Sequence, residues 1–342
     1  MCYTILSYRM GLDAGGRANA VPIRVVYMST PAFGVPALTL LANDPRFEVA
    51  AVVTQPDKPA GRGLKRTPPP VKRAAERLGL PVLQPASLRT PEALREIARR
   101  RPDVIAVAAY GLWIPGEIFN LPPKRSLNLH PSLLPRYRGA APVVGALLAG
   151  ETEVGLSVLF VEDEMDAGDI LAQMRVPVMP GDTTATLMDR LAHIGAPFFV
   201  ETLAGWVNGT IVPVPQDHSQ ASWIDRLRKA DGLLDWTLPA EELARRCRAF
   251  SPWPGTFTFY RGQRLLIHSA WPLNANVPIP GIKGHPEPGT VLALPQGIGV
   301  VTGGGMLMLE RVQLAGRRPL DVRRFICGQP GFVGSRLGIE QT

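Results

Sequence analysis

The chain lacks the features that mark several common classes of protein. Among its 342 residues are three cysteines, Cys2, Cys247 and Cys327, odd in number and far apart. They fit neither a disulfide framework nor the paired spacing of a zinc site, and they suit a reducing cytoplasm. No run of about 18 or more apolar residues occurs, which leaves no stretch for a membrane-spanning helix. Residues 1–22 lack the continuous apolar segment of a signal peptide, and with two arginines they make a poor transit peptide. They are expected to be a disordered extension or a start assigned too early. Neither a dinucleotide fingerprint nor a Walker sequence is present. Acidic residues are scarce from Leu243 onward, where Glu287, Glu310, Asp321 and Glu340 face eleven arginines and one lysine. The last hundred residues thus carry the whole formal net charge of +8. Such a surface either keeps the protein solvated or meets an anionic partner.

From Ile23 onward apolar runs alternate with helical patterns. Ile23–Met28, Phe47–Thr54, Asp103–Ala109 and Ser126–His130 read as strands, and helices are expected over about 33–42, 70–78 and 91–100. Strands buried on both faces and separated by helices make a doubly wound parallel sheet. Two further strands at 154–161 and 170–178 and a helix over about 183–207 complete this part. Residues 208–222 show no strong period and are expected to be a linker, followed by a short amphipathic stretch at 224–229. Beyond it, β-type runs at 255–260, 263–270, 289–294, 297–302 and 307–314 are separated by glycine and proline, as in a small antiparallel barrel. Gly303-Gly304-Gly305 between two of them reads as a hairpin turn. The expectation is an α/β protein with a doubly wound, Rossmann-like parallel sheet at 23–207, a linker at 208–222 and a small OB-like antiparallel β-barrel at 223–342.

One stretch carries chemistry. Ser126-Leu127-Asn128-Leu129-His130 meets Pro131, and Ser132-Leu133-Leu134-Pro135 leads into Arg136-Tyr137-Arg138-Gly139-Ala140-Ala141-Pro142. Residues i and i+2 of a strand share a side, so Asn128 and His130 stand together near the carboxyl end of a strand. That is where ligands collect in such sheets. The amide can donate to a developing oxyanion, and the imidazole can move a proton near neutral pH. A carboxylate from the acidic segment 162–169 can return to orient the ring, with Glu162, Asp163, Glu164, Asp166 and Asp169 competing for the role. Taken singly, a histidine at a strand end is more often structural, and Asn128 can equally serve a turn. No serine or cysteine nucleophile accompanies the group, so the nucleophile is expected to belong to the substrate.

Asn-x-His-x-Ser-Leu-Leu-Pro followed by Arg-Tyr-Arg-Gly-Ala-Ala-Pro resembles the folate-dependent formyltransferases, and more narrowly their branch acting on methionyl initiator tRNA. The resemblance spans roughly Ile23 to Leu337. Within it, Met165-Asp166-Ala167-Gly168-Asp169 resembles the catalytic aspartate loop, which selects Asp166. The segment 109–115 resembles a folate-pocket strand end, and 54–63 a tRNA-contacting insertion loop. Phe250–Gly255 and Phe332–Leu337 resemble landmarks of the C-terminal domain. Ser29-Thr30-Pro31 departs from the Gly-Thr-Pro usual in that family, and Gly145 stands where a larger residue is usual.

The resemblance implies transfer of the formyl group of 10-formyltetrahydrofolate to the α-amine of methionine on initiator tRNA, with no metal. It makes Asn128, His130 and Asp166 the catalytic residues. Ser132, Leu133, Leu134 and Pro135, with Tyr110, Gly111 and Leu112, are expected to wall the folate. Lys58, Arg62, Lys65 and Arg66 in the insertion loop, and Arg245, Arg317 and Arg318 in the barrel, are expected to meet the tRNA. A cytoplasmic monomer is the expected state. Three other readings stand beside this one: formyl transfer to glycinamide ribonucleotide or an amino-sugar nucleotide, an RNA-binding module without catalysis, and hydrolysis of formyl-folate by water. The loop and the basic domain speak against the first, and the intact triplet against the second.

Overall fold

The computed structural model describes residues 21–60, 65–273 and 286–338. Residues 1–20 of the expected extension and Arg62 of the expected RNA loop lie outside the described residues. In chain order the elements begin with β1 (Ile23–Ser29), α1 (Val35–Asn43), β2 (Phe47–Val53), β3 (Lys58–Ala60), β4 (Lys65–Thr67), α2 (Pro70–Arg77), β5 (Val82–Leu83), α3 (Pro91–Ala98) and β6 (Val104–Ala108). Then come α4 (Gly116–Phe119), β7 (Ser126–His130), β8 (Arg138–Gly139), α5 (Pro142–Ala149), β9 (Glu153–Phe160), β10 (Ile170–Pro177), α6 (Thr184–Val207) and β11 (Trp223–Ile224). The remainder is α7 (Ala240–Ala249), β12 (Thr256–Tyr260), β13 (Gln263–Leu273), β14 (Val291–Leu294), β15 (Gly297–Val301), β16 (Met306–Leu314), β17 (Leu320–Asp321) and α8 (Val322–Cys327).

The chain divides into two compact units, Met1–Pro142 with Glu153–Val178 and Leu187–Ile224, and Val143–Thr152 with Met179–Thr186 and Asp225–Thr342. They do not follow from one cut in the chain. Within the second unit, Arg245 Nε donates to the Leu148 carbonyl at 3.1 Å and Thr184 Oγ1 to the Ala249 carbonyl at 2.6 Å, which ties the two short segments to α7.

The first unit is built on a seven-stranded sheet of order β10-β9-β7-β6-β1-β2-β5. Strands β5, β2, β1, β6 and β7 are parallel, whereas β9 runs antiparallel to β7 and β10 antiparallel to β9. The sheet is therefore mixed rather than wholly parallel. Its central strands read as unbroken apolar runs because both faces are covered, and every residue of β6 is buried. Strand order reverses between β1 and β6, the position where open α/β sheets bind ligands. Ser29 is buried there and donates its hydroxyl to the Ala108 carbonyl at 2.5 Å.

The second unit carries a six-stranded antiparallel sheet of order β12-β13-β16-β15-β14, with β17 on β16. Among the described strands, β12 and β14 end this sheet rather than closing it into a ring. Two register shifts in β13, at Ile267/Ser269 and Ser269/Ala270, bend it over its core. That core gathers Leu243 and Cys247 of α7, Leu265, Val300 and Val312 of the sheet, and Phe325 and Phe332. Gly303–Gly305 lies in the turn joining β15 to β16, with Thr302 N donating to the Gly305 carbonyl at 3.1 Å.

Candidate active site

Asn128 and His130 project from one side of β7, the first half-buried and the second buried. His130 Nε2 lies 3.0 Å from the Tyr137 carbonyl oxygen. A carbonyl can only accept, so this contact places the ring hydrogen on Nε2. The opposite nitrogen, Nδ1, faces Asp166 Oδ1 at 3.5 Å, and Asn128 Nδ2 reaches the same oxygen at 3.4 Å. Asp166 Oδ2 accepts the backbone N–H of Gly139 at 2.9 Å. One carboxylate is thus shared by amide, imidazole and main chain. The contacts from Asn128 and His130 exceed the usual 2.7–3.2 Å of a tight hydrogen bond, so the three side chains are loosely joined, and the backbone N–H of Gly139 is the tightest of the three contacts described to the carboxylate.

Asp166 reaches this position because the loop after β9 turns back across the face of β7. Asp166 adopts φ +55°, a left-handed conformation that side chains with a Cβ seldom take. Two residues on, a Cβ at Gly168 would stand 2.2 Å from the Phe160 carbonyl oxygen, so only glycine allows the close return. Two of the competing carboxylates are engaged elsewhere. Glu162 pairs with Arg125 at 3.0 Å, and Glu164 pairs with Arg138 at 3.1 Å. Among the described residues, Asp166 is the acidic residue joined to both Asn128 and His130.

The 132–135 segment beyond His130 is held from behind. Ser157 Oγ donates to the Ser132 carbonyl at 2.7 Å and accepts the Leu134 N–H at 3.1 Å, while Gln173 Nε2 donates to the Leu134 carbonyl at 2.9 Å. Ser132 Oγ donates to the Arg136 carbonyl at 2.8 Å. Leu133 and Pro135 are half-buried and Leu134 is buried. Tyr110, Gly111 and Leu112 follow β6 at the strand-order reversal. Thr30 Oγ1 and Gln55 Nε2 both donate to the Tyr110 carbonyl, at 2.7 and 3.0 Å. Burial pushes the Tyr110 phenol up to about 12, so it stays protonated at neutral pH. Gly111 is exposed at φ +82°, and Leu112 is half-buried.

The expected RNA residues divide between the two units. Lys58 and Arg66 are exposed on a β3–β4 hairpin in which Pro59 pairs with Arg66 and Ala60 with Lys65. Arg317 and Arg318 are exposed in the turn between β16 and β17. Arg245 is half-buried, and its Nε is committed to the Leu148 carbonyl. Among the described residues no three His, Cys, Asp or Glu side chains gather as a metal site, and no helix is long and apolar enough to cross a membrane.

The expected linker at 208–222 meets ordered structure. Val214 pairs with Ile170, Gln216 is buried, and Trp223–Ile224 is extended and pairs with β8. The 208–222 segment belongs to the first unit because its backbone completes sheet edges there. Gln216, Ser157 and Gln173 are bracing residues that sequence reasoning missed, and their sole signal was a polar side chain set in an apolar or irregular run; Arg138 stood within the quoted motif, but no role was drawn for it.

A family profile described as "Formyl transferase" matches residues 24–203, and one described as "Formyl transferase, C-terminal domain" matches residues 226–330. A methionyl-tRNA formyltransferase from Roseiflexus sp. (strain RS-1) is 45% identical over 321 residues, which cover 93% of this chain and 96% of that protein. Another from Chloroflexus aggregans is 44% identical over 308 residues, with 90% and 97% covered. The solved structure of methionyl-tRNA formyltransferase from Clostridium thermocellum shares the fold, with a TM-score of 0.53 at 17% identity over 72% of this chain and 92% of that one.

Proposed function

The chain belongs to the methionyl-tRNA formyltransferase family, and on that premise we propose that Asn128, His130 and Asp166 move a formyl group from 10-formyltetrahydrofolate to the α-amine of methionyl initiator tRNA. The observation that carries this reading is the Asp166 carboxylate, shared between the Asn128 amide and His130 Nδ1. When bound, the folate supplies the formyl carbon that the amine attacks. As charge moves onto the formyl oxygen, the second Asn128 N–H is available to it. One such donor is worth roughly 3–4 kcal/mol in acyl transfer. The amine must lose a proton and folate N10 must gain one. His130 Nδ1 and Asp166 Oδ1 face one another across 3.5 Å and form the proton-handling pair, while Tyr137 keeps the ring from turning.

The folate side fits residues 132–135, whose backbone is braced by Ser157 and Gln173 and which offers Leu133 and Pro135 as apolar surface. Gly111 adds backbone without a Cβ. On the RNA side, the exposed Lys58 and Arg66 and the exposed Arg317 and Arg318 support contact with phosphates, which makes binding fall steeply with salt. These cations favour tRNA over a nucleotide sugar as acceptor. The test is to incubate the protein with formyl-labelled 10-formyltetrahydrofolate and charged initiator tRNA. Label on the methionyl amine supports the proposal. Label released as formate, or transferred to an amino-sugar nucleotide and not to tRNA, overturns it.

A further inference from the structure

We propose that Gln216 is the positioning residue for Asp166, carrying the grip of the buried Arg138 guanidinium to the backbone of the aspartate loop. Arg138 is 1% exposed and heads the largest fully buried side chains of the protein. A guanidinium keeps its charge and has only donors, so its burial demands fixed acceptors. It finds three: Glu164 Oε1 at 3.1 Å, His218 Nδ1 at 3.0 Å, and Gln216 Oε1 at 2.8 Å from Nη2 and 3.3 Å from Nε.

The last contact fixes which way the Gln216 amide points. With Oε1 held by donors, Nε2 faces the other way, and its two hydrogens meet the carbonyls of Asp166 at 2.9 Å and Gly168 at 2.7 Å. A flipped amide would set donor against donor and acceptor against acceptor, so the network admits one orientation. Those two carbonyls lie immediately after the left-handed Asp166 Cα and fix the chain that leaves it. The residue following Arg138 holds the other end, since Gly139 N donates to Asp166 Oδ2. Pairing of β8 with β11 keeps Arg138 and Gly139 in place. Gln216 donates to the main chain of Asp166, not to its carboxylate, and so acts through the aspartate.

This inference rests on the reading of Asp166 as catalytic, and the experiment separates the two. Gln216→Met keeps the length of the side chain and removes its hydrogen bonds. Gln216→Glu keeps an oxygen for Arg138 and turns the donor toward the loop into an acceptor. Both, with Asp166→Asn alongside, are assayed with 10-formyltetrahydrofolate and charged initiator tRNA, and their melting temperatures are recorded. Displacement of a reacting group by about 1 Å costs on the order of a hundredfold. The expected result is a kcat lowered about ten- to a hundredfold in both Gln216 variants, with both KM values within about twofold of the parent. Loss of turnover in Asp166→Asn with parental kcat in Gln216→Met overturns the Gln216 role alone. Parental turnover in Asp166→Asn overturns the catalytic reading and this inference with it. A fall in kcat accompanied by a matching rise in both KM values and a lowered melting temperature assigns Gln216 to general stability, and also overturns the proposal.

Discussion

The backbone N–H of Gly139 donates to Asp166 Oδ2 at 2.9 Å, from a position that no residue with a Cβ fits. Gly139 has φ +102°, and a Cβ built there would lie 2.5 Å from the Ile224 carbonyl oxygen, the strand partner across β8 and β11. Left-handed backbone costs roughly 1–2 kcal/mol for a residue with a side chain, and the clash is with main chain, which cannot rotate away. In Gly139→Ala the strand must shift and take the N–H with it. Its turnover is expected to fall at least about tenfold through lost orientation, with the tRNA KM unchanged in steady-state formylation. Parental kcat in this variant would remove the N–H from the account.

The triplet itself predicts a graded series. Removing a proton-handling group typically costs 10²–10⁴-fold, and removing one oxyanion donor about 10²–10³-fold. His130→Ala and Asp166→Ala are therefore expected to lose about 10²–10⁴-fold in kcat, and Asn128→Ala somewhat less. The affinity for tRNA, measured by filter binding, should stay near the parent in all three. Near-normal formylation by His130→Ala would sink the mechanism.

The strands of the first unit and the pair on β7 were legible because their cause is local. Buried parallel strands are continuous apolar runs, and an i, i+2 spacing puts Asn128 and His130 on one side whatever else the chain does. Asp166 was legible only through the resemblance, since four other carboxylates share its segment and the loop's return depends on Gly168 meeting Phe160. Helix α7 escaped notice because its buried face, Ala240, Leu243, Ala244 and Cys247, keeps a helical spacing but carries one large aliphatic side chain among small ones. Nothing local marks Gln216, which meets Arg138 across 78 positions of sequence. Irregular segments that carry a site satisfy their polar groups at long range, and no window of sequence displays that.

The β3–β4 hairpin has a polar foot whose loss should act on the RNA side alone. Asp57 accepts from Lys72 Nζ at 2.9 Å and Gln84 Nε2 at 2.8 Å, and Gln84 also donates to the Gln55 carbonyl at 2.9 Å. The Gln84 hydrogen bond, then the Lys72 contact, hold the Asp57 carboxyl below the ordinary carboxylate value. A depressed carboxylate contributes above its unfolded value and loses that contribution as pH falls through its folded one. The foot therefore holds at neutral pH and loosens only in acid. Lys72→Met is expected to raise the KM for charged tRNA severalfold, with the folate KM unchanged. An unaltered tRNA KM would detach the hairpin from RNA binding.

Cys247 offers a check on the core of the second unit. It lies buried on α7 with the Thr256 hydroxyl 3.4 Å from Sγ, and burial pushes its thiol from 9.0 up to about 11. The folded thiol keeps its proton in a range where the unfolded one ionises. The unfolded state then binds fewer protons, and stability falls as pH rises from about 9 toward 11, with a limiting slope of about 1.4 kcal/mol per pH unit. Cys327, by contrast, is exposed. In native protein at pH 8, iodoacetamide followed by peptide mapping should label Cys327 and spare Cys247, with Cys247 labelled only after denaturant is added. In Cys247→Ala, whose own loss of packing lowers stability at every pH, the alkaline decline between pH 9 and 11 should be shallower than in the parent. Equal slopes in the two proteins, or rapid native labelling of Cys247, would show that the thiol is not shielded by the α7 core.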